Sequence, residues 1–176
     1  MASIESLLAG DEYRMDLLQT VASLALPDWY IAAGFVRNMV WDHLHGFSTT
    51  PLTDIDVLFF DNTATYEARE IEKQLVALRP RVPWQVKNQA LMHQRNQDPP
   101  YRDCADAMRY WPEQETAVGV RLDVDNGIVV AAPFGVASLW AGQLTPNPKR
   151  DFTIFARRVA TKDWLTRWPN LSVAGI

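Results

Sequence analysis

Asp54 and Asp56 stand one residue apart, and the run behind them, 55–60, is β-branched and aromatic. Residues i and i+2 of a strand project to one side, so the two carboxylates leave the mouth of a strand together. Like charges that close are unfavourable unless a cation or hydrogen bonds compensate. Magnesium is the natural compensator. It takes one or two carboxylates and completes its shell with water and substrate phosphates; manganese is the alternative ion. Two such ions, roughly 3.5–4 Å apart, clamp the attacking and leaving oxygens of an in-line phosphoryl displacement.

A second group lies upstream. Gly34 follows a short apolar run, 29–33, and precedes a helical pattern over 35–44 that Gly46 closes. A residue without a side chain lets phosphate approach the backbone, and a helix start supplies unpaired N–H groups. Arg37 falls in the first turn of that helix, where its guanidinium can fork onto a triphosphate. Taken singly, each feature has a plain alternative: a solvated strand entrance, a turn glycine, a surface ion pair. Their order and local structure together favour the chemical reading.

These residues must be positioned by a mixture of helices and strands. Apolar spacing predicts one or two helices over 3–24, broken near Gly10, and strands at 29–33, 55–60 and 84–87. A helix is expected at 65–78, capped by Thr63 or Thr65, with shorter ones at 90–94 and 105–111. Segments 118–124 and 128–132 flank Asp125-Asn126-Gly127, a hairpin signal, because Asn-Gly readily takes the positive φ of a tight turn. Helices are expected again at 136–143 and 152–168. The reading is an α+β fold in one domain, 1–176. A short mixed sheet packs against helices, with a core at 27–135 and a helical part at 136–176.

The stretch Ala32-Ala33-Gly34-Phe35-Val36-Arg37-Asn38 with Asp54-Ile55-Asp56-Val57 resembles the head domain of the polymerase-β nucleotidyltransferase superfamily. The similarity is to bacterial-type CCA-adding enzymes and poly(A) polymerases, whose motif runs Gly-Gly-x-Val-Arg-Asp, a short helix, then Asp-x-Asp. Here Ala33 replaces the first glycine and Asn38 the aspartate. Over nearly its full length the chain resembles small stand-alone bacterial nucleotidyltransferase-like proteins. Arg37-Asn38-Met39-Val40-Trp41-Asp42, Trp84-Gln85-Val86-Lys87-Asn88-Gln89-Ala90, Trp111-Pro112-Glu113 and Ala132-Pro133-Phe134-Gly135 carry that resemblance.

The resemblance implies the nucleotidyltransferase fold, a catalytic metal on Asp54 and Asp56, and a triphosphate against Gly34 and Arg37. Many superfamily members place a third carboxylate on the next strand as general base. The corresponding stretch here, Trp84-Gln85-Val86-Lys87, offers only the amide of Gln85, with Asp61 a remote substitute. Lys87, Asn88 and Gln89 are expected beside the site, contacting phosphate or base, or else forming a polar loop capped by Asn88. Tyr101-Arg102-Asp103 is similar to the Arg-Arg-Asp segment of CCA-adding heads, which makes Arg102 a nucleotide-binding candidate.

The expected function is transfer of a nucleoside monophosphate from a nucleoside triphosphate to an unidentified acceptor, with release of pyrophosphate. The alternatives are a weak or inactive nucleotide sensor or partner-binding module, favoured by Gln85, and a magnesium-dependent phosphohydrolase. CCA addition itself is disfavoured, because the helical neck, body and tail that hold tRNA in those enzymes are missing from the sequence.

Composition narrows the field. A hydrophobic fraction of 48%, with seven Trp and seven Phe, suits a packed core. The net charge of −4 argues against extended nucleic-acid binding. Charge is uneven, however: +4 over 145–176 and −8 over the rest. The plain reading of that basic end is the solvated face of a helix, and the alternative is a local patch that meets phosphate. Cys104 is the single cysteine, which fits a reducing cytoplasm and excludes an intrachain disulfide. His43, His45 and His93 lack metal-grade spacing with a third ligand, and His93 reads best as a hydrogen-bonded packing residue. No secretory signal or membrane span is evident.

Overall fold

Strand β2 (Ile55–Phe59) is buried at four of its five positions, as its Ile, Val, Leu and Phe require. The computed structural model describes residues 1–174, and β2 lies in its five-stranded sheet. The other strands are β1 (Tyr30–Ala32), β3 (Trp84–Asn88), β4 (Gly119–Leu122) and β5 (Ile128–Ala131), in the order β3-β2-β1-β4-β5. β1 is antiparallel to both its neighbours, β4 and β5 form an antiparallel hairpin, and β2 and β3 run parallel. A parallel pair needs a crossover. Here α4 (Ala68–Leu78) supplies it and buries Ile71 and Leu75.

Helices α1 (Ile4–Ala9) and α2 (Glu12–Ala22) are separate, divided at Gly10 as expected. Ser3 and Ser6 cap the first reciprocally, and the Asp11 carboxylate caps the second. Helix α3 (Gly34–His45) is closed by Gly46 in the left-handed conformation, φ 65°. Two short helices, α5 (Met92–Asn96) and α6 (Cys104–Met108), follow β3. After β5 come α7 (Ala137–Trp140), β6 (Gln143–Leu144), α8 (Phe152–Thr161), α9 (Trp164–Arg167) and β7 (Ser172–Val173), which pairs parallel with β6.

The C-terminal part packs on α3 rather than standing away from it. The Trp41 ring lies 5.0 Å from Trp168 and 5.9 Å from Trp164, centroid to centroid. The Trp168 indole N–H donates to the Asp42 carboxylate at 2.9 Å. Two fully buried indoles, Trp41 and Trp168, thus fix the chain end against the helix that follows β1.

Local details depart from expectation in four places. The helix expected over 152–168 breaks at Lys162 and Asp163, where Asp163 takes φ 59°. The one expected over 136–143 shortens to a single turn. Thr63 and Thr65 do not cap α4, whose N-cap is Glu67; Thr63 hydrogen-bonds Asp61 instead. The β4–β5 connection is a five-residue loop rather than a two-residue Asn-Gly turn. The Asp123 carboxylate accepts from the Asp125 and Gly127 amides, and only Asn126 takes positive φ.

Candidate functional site

Strand alternation sets one wall of a cleft. Along β3, Trp84, Val86 and Asn88 are buried while Gln85 and Lys87 face out. Asp56 is the register partner of Gln85, and Leu58 of Lys87. Ile55 points into the core, so the flanking Asp54 and Asp56 turn the other way. All four polar side chains line a cleft of about 560 Å³.

Neither Asp54 nor Asp56 has an ion-pair partner among the described residues. Burial pushes the Asp56 carboxyl above its ordinary range; the Asp54 charge adds to that, while Lys87 and Arg37 oppose it. A pair of partnerless carboxylates, one of them half-buried, is the donor set magnesium accepts when substrate and water complete its shell. No group of three or more metal-ligating side chains occurs among the described residues, so a closed structural metal site is excluded there.

The opposite wall begins at the turn from β1 into α3. Ala33 precedes Gly34 at φ 59°, ψ −127°, and no side chain caps the helix. The Ala33 carbonyl accepts from the Val36 and Arg37 amides, and of the Gly34 and Phe35 amides before them only that of Gly34 belongs to a residue that lines the cleft. A Cβ at Gly34 would lie 3.2 Å from Arg37 Nη2 and 3.3 Å from Asn38 Nδ2. Glycine therefore keeps that helix end open.

Arg37 is more deeply held than a surface fork would be. It is 7% exposed, with its guanidinium 4.9 Å from the Trp41 ring and 4.8 Å from Trp164. Its Nε donates to Asn38 and its Nη1 to the Thr116 hydroxyl at 2.8 Å. Thr116 in turn donates to Glu113, fully buried, which receives Arg158 through two hydrogen bonds. Burial draws the Arg37 pKa down to about 10, which still leaves it charged at neutral pH. The result is a fixed positive charge beside Gly34.

The basic C-terminal end, whose individual residues the sequence did not single out, supplies a third wall. Arg158, Lys162, Trp164 and Arg167 line the same cleft, so part of the basic C-terminal end borders the site while Arg157 stays on the solvated face. Trp164 meets both Arg37 and Arg158, whose guanidinium lies 5.5 Å from its ring. Glu113, which accepts from both Thr116 and Arg158, organises that wall. The sequence signal that was available is the charge asymmetry of 145–176.

Gly34, Arg37, Asp54, Asp56 and Lys87 are thus brought together, and Gln89 joins them. Arg102 is not: its side chain is 78% exposed and turned to Asp106, outside the residues that line the cleft. Asn88 is buried and structural, accepting from the Asp61 and Ala90 amides. Asp61 is occupied by Thr63 and Tyr66 and does not reach the cleft. His93 is half-buried against Tyr101 and hydrogen-bonded to Ala90.

A family model described as nucleotidyltransferase matches residues 19–173, the span that holds every wall of the cleft. The chain belongs to this nucleotidyltransferase family. A solved protein described as revealing a CCA-adding enzyme head domain is similar at 32% identity and TM-score 0.85, over 98% of this chain and 95% of that one. The Thermotoga maritima CCA-adding enzyme complexed with tRNA shares the fold at 14% identity and TM-score 0.62, over 99% of this chain and 43% of that one. A CCA-adding enzyme with CTP does so at 13% identity and TM-score 0.61, over 99% and 44%. No curated protein matches the chain. Family and fold together support nucleotidyl transfer as the general chemistry of the cleft. No helix among the described residues is long and apolar enough to cross a membrane.

Proposed function

We propose that the protein is a magnesium-dependent nucleotidyltransferase. It moves a nucleoside monophosphate from a nucleoside triphosphate to an acceptor, and pyrophosphate leaves. One observation carries this reading: two carboxylates without ion-pair partners, Asp54 and Asp56, face the uncapped, glycine-opened start of α3 across one cleft.

Asp54 and Asp56 would hold the divalent ion, which when bound supplies charge neutralisation and Lewis acidity at the reacting phosphorus. The Gly34 amide, at the uncapped start of α3, binds a phosphate oxygen directly. Arg37, packed against two indoles, offers positive charge without having to be ordered on binding. Lys87, beside Gln85 on the acidic wall, reaches the triphosphate from the other side. Arg102 lies outside this cleft, paired with Asp106, and is left out of the proposal.

The test is titration with ATP, CTP, GTP and UTP, with and without magnesium, on the wild type and on Asp54→Ala plus Asp56→Ala. Magnesium-dependent binding that the double variant loses is the expected result. Binding that survives both substitutions would remove the metal from the account. A second reading, a nucleotide sensor, has Gln85 in its favour, because an amide beside Asp56 cannot take a proton. Pyrophosphate release with cell extract as the acceptor source separates the two.

A further inference from the structure

The cleft holds a surplus of positive charge and lacks any acid to spare. Its ionisable lining consists of Asp54 and Asp56 against Arg37, Lys87, Arg95, Arg158, Lys162 and Arg167. Only Arg158 of those six is neutralised by an ion pair, with Glu113. Five unpaired cations therefore face two carboxylates. A fully ionised nucleoside triphosphate with two magnesium ions adds no net charge, and with one it adds −2. In either case the loaded cleft stays positive. The excess sits on the C-terminal wall, where Lys162 and Arg167 are exposed and without ion-pair partners.

The same lining has no group free to accept a proton. No histidine, cysteine, tyrosine or glutamate borders the cleft among the described residues, and Gln85 occupies the place beside Asp56. If both aspartates hold metal, a hydroxyl acceptor finds no side-chain base in this lining and depends on the metal alone for its activation. An acceptor whose oxygen is already an anion needs no base. A phosphate monoester meets both conditions at once, since it carries about −1.5 to −2 charge at neutral pH.

We infer that the acceptor is a small phosphorylated molecule whose phosphate, held by Lys162, Arg167 and Arg158, is itself the nucleophile. This rests on the nucleotidyltransferase reading above. A lone pair on a non-bridging oxygen of the acceptor phosphate forms a bond to the α-phosphorus. The bond from the α-phosphorus to the oxygen bridging to the β-phosphate breaks, and pyrophosphate departs with that electron pair. No proton moves. The product joins nucleoside monophosphate and acceptor through a phosphoanhydride, not a phosphodiester. The remainder of the surface does not suit a long polyanion, because the whole chain carries −4.

The experiment uses the full chain, magnesium and an equimolar mixture of four α-labelled nucleoside triphosphates. Paired acceptors are supplied: glycerol 3-phosphate against glycerol, glucose 1-phosphate against glucose, inorganic phosphate alone, and an RNA oligonucleotide with a free 3′ hydroxyl. Nucleotide binding is measured separately by calorimetry. Label is expected to pass to at least one phosphate acceptor, about a hundredfold faster than to its dephosphorylated partner. The product should carry a phosphoanhydride by phosphorus NMR. Lys162→Gln and Arg167→Gln should each raise the acceptor KM about tenfold while the dissociation constant for magnesium-nucleotide shifts less than threefold. Transfer to glycerol, glucose or the RNA hydroxyl at a comparable rate overturns the inference. So does a bound magnesium-nucleotide that reacts with none of the phosphate acceptors. Absence of nucleotide binding is a separate result, and it defeats the nucleotidyltransferase reading together with this one.

Discussion

Asp56 and Gln85 are register partners across the parallel β2–β3 ladder, both lining the cleft. The amide therefore occupies the position from which a third carboxylate would meet the pair. Gln85→Glu should tighten binding of manganese, used as a magnesium probe, by roughly threefold to tenfold, about 1 kcal/mol, by adding negative charge at the site. Electron paramagnetic resonance titration measures it. An unchanged affinity would mean that Gln85 does not face the ion.

Ala33 carries a backbone conformation that glycine adopts without penalty, φ 59° and ψ −127°. Strain of this kind costs about 1–3 kcal/mol, partly offset by the extra freedom glycine has when unfolded. Ala33→Gly should therefore raise stability by about 1 kcal/mol, or roughly 2–4 °C in Tm. Thermal melting followed by circular dichroism is the measurement. A lower Tm would show that the turn is relaxed as it stands.

Glu113 is wholly buried and receives Thr116 and Arg158. Glu113→Gln leaves Arg158 without its counter-charge, a loss of about 1–3 kcal/mol, reduced from the fully buried case because Arg158 is partly solvated. Pairing it with Arg158→Gln should recover part of that loss. Urea denaturation of the two single variants and the double variant gives the coupling, and strict additivity would deny the link.

Arg37→Lys keeps a positive charge but cannot pack in the same way against Trp41 and Trp164 or donate to both Asn38 and Thr116. Stability is expected to fall by roughly 2–3 kcal/mol, with weaker triphosphate binding. Equal stability in the two proteins would mean that charge alone matters here.

Cys104 is buried, and burial pushes its thiol far above the ordinary range, with the Asp28 carboxylate adding to the effect. The native protein should not react with a thiol reagent at pH 8, whereas denatured protein should take up one equivalent. Rapid labelling without denaturant would contradict this.

The sequence was most readable where the chemistry is local. Gly34, Arg37, Asp54 and Asp56 fall within 34–56, and each is placed by the element it starts or borders, so spacing alone put them on one strand mouth and one helix start. The α+β class followed from the apolar runs of β1, β2 and β3. What escaped is non-local. Arg158, Lys162 and Arg167 reach the cleft because α8 and α9 fold back onto Trp41, and nothing in residues 152–168 records that partner. The break at Asp163 escaped for a similar reason, because packing of Trp164 and Trp168 overrides a continuous helical pattern. Arg102 was placed by similarity to a motif, and its surroundings hold Asp106 but no cleft.

The contact of Trp164 with both Arg37 and Arg158 has an optical corollary. Guanidinium groups perturb the emission of an indole they touch, and both of these cations border the chamber where a ligand would lodge. Occupancy that tugs on either one alters the light from that ring, so the molecule carries its own fluorescent gauge of a filled chamber, without dye or tag.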